Sequence, residues 1–300
     1  MQTHYSIRDL EHLTGVKAHT LRIWESRYAL MQPKRTKTNI RYYSDEDLRK
    51  ILNVSTLVQM GWRISQVAAL SDDSLAEEVL RAKAYEGDYK AEVRDLKDAM
   101  LRFDDDAFRR TMHHSISTYG FDATLQGVLR DFMEQLGFLW QTNTISILHE
   151  HFASSLIKQK LFQAIDQLPD KARPEAESVV LYLPSNELHE LGLLYLNYWL
   201  RKKGFRVIYL GQSTPVKYVR ELASLQKLDY AITVLTTQPE DDALRPYLLE
   251  LIEIQQDFGT QFILTGFRLN NFNLNGEAGK ICIMDGVEAI KNYMGSKVLV

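Results

Sequence analysis

Three hundred residues exceed one ordinary small domain and predict two or three compact units. The chain is 45% hydrophobic and 25% charged, with a single cysteine and no apolar run near the roughly 20 residues that span a bilayer. That composition excludes a disulfide-stapled scaffold and a membrane-embedded protein. The opening MQTHYSIRDL lacks the basic-then-apolar layout of a signal peptide, so a cytoplasmic location and no membrane partner are expected. A net charge of −3 conceals an asymmetry. Residues 1–70 hold eleven Lys/Arg against six Asp/Glu, a surplus of +5, and the rest carries −8. Within 17–41, seven basic residues face Glu25 alone, the footprint of a polyanion site.

Residues 6–14 carry Ile7, Leu10 and Leu13 at helical spacing, and Gly15 ends that helix. A second helix is expected over about 17–27, with Leu21 and Trp24 on one face. Two short helices about a glycine turn predict a helix-turn-helix. The turn-rich, basic MQPKRTKTNIRYYSDED reads as a β-hairpin wing, and Ser44 with Asp47 forms an N-cap signature. A longer helix ends near Gly61, and a short one is expected over 63–70.

From 72 to 169 the pattern is almost wholly helical, with breaks near Gly87–Asp88, Asp104–Asp106, Gly120 and Thr142–Thr144. The stripe Leu125, Leu129, Phe132, Met133, Leu136, Leu139 predicts a helical bundle. Pro169 to Pro174 reads as a linker. After 177, apolar runs at 179–183, 207–210, 230–235, 262–264 and 281–284 alternate with helices, apart from a looser stretch at 267–279. That alternation predicts an α/β flavodoxin-like, doubly wound parallel sheet, with ligand bound beyond the strand ends at the switch point between its first and third strands. The expected domains are a winged helix-turn-helix over 1–71, a helical bundle over 72–170 and a Rossmann-like sheet domain over 175–300.

Residues 20–47, TLRIWESRYALMQPKRTKTNIRYYSDED, resemble the reading head of MerR-type transcription regulators, through recognition helix, wing and the Tyr-Ser-x-x-Asp entry to the next helix. A recognition helix offers its first side chains to base edges, which nominates Lys17, His19 and Thr20 as readers. Arg22, Arg35, Lys37 and Arg41 are expected on phosphates, with Asn39 and Tyr42 as hydrogen-bonding helpers. The resemblance implies double-stranded operator DNA as partner, an inverted-repeat site and a homo-oligomer, dimer or tetramer.

Two further constellations lie downstream. Glu187-x-His189-x-x-Gly192 follows the first expected strand of the sheet, and Thr233-x-Leu235 ends the third. They resemble the signature of proteins that bind cobalamin base-off and histidine-on. Trp140 followed after nine residues by Glu150-His151 resembles the motif of the bundle that covers the upper face of adenosylcobalamin. Together they make the chain similar to light-responsive repressors of the CarH/LitR type. The resemblance implies His189 as lower axial ligand to cobalt, Glu187 as its orienter, and Trp140 over the upper ligand with Glu150 and His151. Adenosylcobalamin is favoured, with methylcobalamin as the other candidate. A neutral imidazole suits a transition metal, and a carboxylate on its other nitrogen raises its basicity.

Two positions depart from the pattern. The Gly-Gly that admits the nucleotide tail is Gly266-Phe267 here, and the histidine that follows the tryptophan in light-sensing relatives is Gln141. These departures keep open a regulator with a degenerate sensor that answers another ligand or a protein partner. An enzyme is not expected, because the chain has no room for a substrate barrel of about 250 residues and no cysteine cluster. Zinc at His149–His151 is disfavoured, since adjacent helical side chains point to different faces.

Overall fold

Two serine-based capping boxes start the helices of the N-terminal unit. Ser6 Oγ accepts from the Asp9 N–H while Asp9 accepts from the Ser6 N–H, opening α1 (Ile7–Thr14), which stops at Gly15 in the left-handed conformation. After α2 (Ala18–Tyr28), strands β1 (Lys34–Arg35) and β2 (Arg41–Tyr42) pair antiparallel as the wing. Ser44 and Asp47 form the second box and open α3 (Asp45–Gln59). The short helix that follows, α4, covers only Ile64–Val67. Leu10, Leu21, Trp24, Tyr43, Leu48, Ile51, Val54 and Leu57 bury the common core. The computed structural model describes residues 5–35, 41–82, 87–169, 175–269 and 281–297.

The chain divides into two units, Met1–Leu156 and Ile157–Val300. The first continues through α5 (Asp72–Ala82), α6 (Lys90–Leu101), α7 (Asp105–Tyr119), α8 (Phe121–Ala123), a π-helical turn (Thr124–Leu129), α9 (Arg130–Gln141) and the start of α10 (Ile147–Asp166). The π turn was invisible in the apolar stripe. It re-phases the helix, so Leu129, Phe132, Leu136 and Leu139 are buried whereas Leu125 is only half-buried. Gly127 in that turn lies against the Tyr89 ring, which fills the space any Cβ would need.

In the second unit, strands β3 (Ser178–Tyr182), β4 (Arg206–Gly211), β5 (Tyr230–Val234), β6 (Gln261–Thr265) and β7 (Cys282–Ile283) form one sheet in the order β4-β3-β5-β6-β7. All its pairings are parallel, as βαβ crossovers require. Helices α11 (Leu191–Lys202) and α14 (Gly286–Lys297) cover one face with Leu193, Leu196, Leu200, Ile290 and Met294. Helices α12 (Val216–Leu225) and α13 (Asp241–Phe258) cover the other with Val219, Leu244, Leu248 and Leu251. This is the doubly wound flavodoxin-like order, and it places the switch point between β3 and β5. The third strand is shorter than its apolar run: it ends at Val234, so Leu235 lies just beyond it. Among the described residues, no helix is long and apolar enough to cross a membrane.

Candidate functional site

Short polar clamps set the exposed surface of the helix-turn-helix. Glu11, near the end of α1, accepts from the backbone N–H of Ala18 at 3.1 Å and pairs with Lys17 at 3.1 Å, fixing the turn into α2. Lys17, His19 and Thr20 gather at the start of α2, with Thr20 Oγ1 3.3 Å from His19 Nε2. Because Leu21 and Trp24 point into the core, the solvent side of α2 consists of His19, Arg22, Ile23, Ser26 and Arg27. Ile23 is 52% exposed, an apolar side chain in the middle of a basic face. Sequence reasoning overlooked it; its offset from the Leu21–Trp24 stripe was the available signal.

On the wing, Arg35 and Arg41 stand directly opposite each other, and both are exposed. Like charges across a strand pair repel, a cost that a shared polyanion removes. Tyr42 faces Lys34 in the same register. Arg41 also lies 3.7 Å from Glu25, which accepts from the buried Tyr43 hydroxyl at 2.8 Å and so ties wing to recognition helix. Burial first, then the Glu25 hydrogen bond, raises the Tyr43 phenol well above its ordinary range, so it remains a donor. Lys37 and Asn39 lie outside the described residues.

The second site is built around one buried carboxylate. Glu187 is wholly inaccessible. Its Oε1 accepts from the N–H groups of Leu188 and His189, and from His189 Nδ1 at 2.5 Å. Its Oε2 accepts from the N–H groups of Thr236, Thr237 and Gln238 and from the Thr237 hydroxyl. One side chain thus joins the loop after β3 to the loop after β5, across the switch point. Burial alone would raise this carboxyl. The hydrogen bonds from His189, Thr237 and Gln238 outweigh it and pull it down to about 2, so it stays ionised at neutral pH. A carboxylate can only accept here, so His189 Nδ1 carries the proton, and the neutral form of the ring would be the tautomer with its lone pair on Nε2. The imidazole is 59% exposed.

Thr233, beside Tyr182 in the β3–β5 register, is fully buried with a hydroxyl that has no well-formed hydrogen bond among the described residues. Gly266 adopts a φ of +121°, and a Cβ there would collide with the Leu235 backbone. That close approach is a reason for glycine independent of any ligand. Phe267 is 58% exposed and so does not fill the interior behind it. Gly192 lies in the first turn of α11, where a Cβ would meet only ordinary contact from Val287.

The structure therefore joins Glu187 to His189, and Leu235 to Gly266. In the other unit, Glu150 and His151 pair at 3.1 Å. Trp140, in the last turn of α9, packs on the DNA-binding core beneath the Arg49 guanidinium, 5.5 Å from its ring. Gln141 beside it is 7% exposed and engaged with α3. The loop-to-loop bonding of Glu187 and this α3–α9 seam carried no sequence signal.

Residues 5–73 match the MerR HTH family regulatory proteins, and residues 92–164 match the B12 binding domain family. The HTH-type transcriptional repressor CarA of Myxococcus xanthus is 32% identical over 212 residues, spanning 70% of this chain and 68% of its own. The HTH-type transcriptional repressor CarH of the same organism is 25% identical over 249 residues, spanning 79% and 81%. The solved monomethylamine corrinoid protein of Methanosarcina barkeri aligns with a TM-score of 0.51 at 15% identity, covering 68% of this chain and 98% of its own, which shows a shared fold. With a MerR head, a B12-binding domain and repressor relatives along most of its length, the chain belongs to the MerR-type transcriptional repressors that carry a B12-binding domain, which are regulators and not enzymes.

Proposed function

We propose that this regulator represses transcription from an inverted-repeat operator as a cytoplasmic homo-oligomer, dimer or tetramer. Adenosylcobalamin held in its sheet domain sets both assembly and operator binding. The observation that carries the reading is His189 held through Nδ1 by the buried, ionised Glu187, with its ring exposed at the switch point. This donor set suits cobalt in a corrin: a neutral imidazole of fixed tautomer, backed by a carboxylate. The buried Thr233 hydroxyl, which has no well-formed hydrogen bond among the described residues, is a polar group at the end of β5 that ligand could engage. His189 would hold the metal from below, with Glu187 as its orienter. Thr233, Leu235, Gly192 and Gly266 would line the cleft, and Trp140, Glu150 and His151 would serve the upper face. Bound, the cofactor supplies a cobalt–carbon bond that light can break. Gln141 stands where light-sensing relatives carry histidine, and its amide is committed to α3, which favours a sensor of the cofactor itself over a photoreceptor that uses this position. The test is titration of the purified protein with adenosyl- and methylcobalamin in the dark, followed by absorbance and by sedimentation. Failure to bind either at tens of micromolar would hand the reading to a degenerate sensor that answers another ligand or a protein partner.

At the DNA end, Arg35→Ala with Arg41→Ala should weaken binding on every sequence and flatten its salt dependence by about one slope unit per lost phosphate contact. An unchanged slope in a filter-binding series would take the wing off the DNA. Lys17, His19 and Thr20 would read bases with Ile23, whose exposed side chain suits a thymine methyl. Replacing the contacted thymine by deoxyuridine should cost wild type roughly fourfold, one methyl's worth of apolar contact. Ile23→Ala should be indifferent to that replacement; an Ile23→Ala protein with undiminished sensitivity would exclude the contact.

A further inference from the structure

The end of α9 is bolted to the DNA-binding domain by largely buried polar groups. Gln141 Nε2 donates to Thr56 Oγ1 at 3.0 Å, and Asn53 Nδ2 donates to the Gln141 carbonyl at 3.1 Å. Gln141, Asn53 and Thr56 are all buried. Arg49, Asn53 and Thr56 follow one another at i, i+4 and i+7, so they form a single stripe along α3. Arg49 covers the Trp140 ring, and Asn53 and Thr56 hold the residue after it. The Thr56 hydroxyl also donates to the Leu52 carbonyl at 2.9 Å, so it is used in both directions.

Buried hydrogen bonds of this kind contribute modestly when made and cost more when one partner is left alone. Breaking one bond of such a seam therefore leaves a largely buried polar group without its partner. One detail shows that this seam is not fully satisfied: Asn53 Oδ1 is buried without a hydrogen-bond partner among the described residues. An arrangement that supplies it a donor recovers part of what opening loses.

We propose that Gln141 is the positioning residue through which the B12-binding bundle acts on DNA binding, by holding Trp140 against α3 of the DNA-binding domain. The inference rests on the reading of Trp140 as a ligand-side residue, because only then does ligand disturb the residue next to Gln141. A ligand that displaces Trp140 would disturb the adjoining Gln141 amide and, through its bonds, α3, whose N-terminal end adjoins the wing through Ser44 and Tyr43. The coupling is reciprocal: whatever ligand does to operator affinity, operator does to ligand affinity by the same factor.

The experiment measures operator affinity with and without saturating adenosylcobalamin in the dark, on a duplex selected from a random pool by the wild-type protein. Thr56→Val keeps the shape and removes the hydroxyl, Gln141→Met removes the amide, and Thr56→Ser retains the hydrogen bonds. For wild type, a coupling factor on the order of tenfold is expected. Thr56→Val and Gln141→Met should bring it below about threefold while cobalamin still binds, and Thr56→Ser should restore it. A purely structural seam would lower the melting temperature of Thr56→Val and leave the factor intact, which overturns the proposal. So would a wild type that binds operator and cobalamin with no linkage, or an intact factor in Gln141→Met if Thr56→Val fails to fold. A wild type that binds no cobalamin overturns the underlying reading, and the proposal with it.

Discussion

His189→Ala is expected to lower cobalamin affinity by at least about 100-fold while leaving the fold in place, since losses of 10–100-fold already follow from disturbing groups behind a metal ligand. The structural half of that expectation comes from exposure: more than half of the His189 ring faces solvent, so little apolar contact is lost with it. Its backbone N–H donates to Glu187 whatever the side chain is. Circular dichroism should therefore match wild type, and the melting temperature should fall only by what the lost His189 Nδ1 hydrogen bond to Glu187 contributed. The absorbance signature of imidazole coordination should vanish at any cobalamin concentration. A dissociation constant within about threefold of wild type would remove His189 from the metal and leave the B12-binding domain holding its ligand by the corrin and tail alone.

Glu187→Ala should be the more damaging substitution, and damaging in a different currency. The side chain accepts from donors on both loops, including backbone N–H groups of Leu188, His189, Thr236, Thr237 and Gln238. Truncation strands several of these partly buried donors around the cavity that the carboxylate leaves. At about 1–3 kcal/mol for each buried donor left alone, a loss of roughly 3 kcal/mol or more is expected even if water enters to serve some. Chemical denaturation of the chain should show this as an earlier transition of the sheet unit, with the helix-turn-helix unaffected. Glu187→Gln provides the contrast, because the amide retains an acceptor oxygen but turns a donor toward backbone N–H groups. It should fall between wild type and alanine in stability, yet lower cobalamin affinity about tenfold by loosening the His189 tautomer. Equal stability of Glu187→Ala and wild type would mean that the two loops are held by something other than this carboxylate.

The division between what could be read from the residues and what could not follows the range of the interactions. Elements governed by local periodicity were legible: the Leu21–Trp24 stripe, the Ser44–Asp47 box, and the strand runs whose spacing implies right-handed parallel crossovers. Motif resemblance singled out Glu187 and His189, which are near neighbours in sequence and meet through a two-residue separation. The sequence by itself therefore determined a MerR-type head, a helical bundle and a doubly wound sheet with Glu187 and His189 beside the switch point. What only the tertiary structure decided involves partners far apart in the chain. The second oxygen of Glu187 is claimed by residues about fifty positions away, and Gln141 finds Thr56 at a separation of 85. Neither Asn53 nor Thr56 differs by type from a solvent-facing polar residue; burial against α9 alone gives them a role. The π turn belongs to the same class, since one extra residue per turn leaves the composition untouched and changes only which side chains meet the core. Local preference acts along the chain within a few residues, whereas polar partners across a seam are selected only once packing has removed water and made each unpaired group costly.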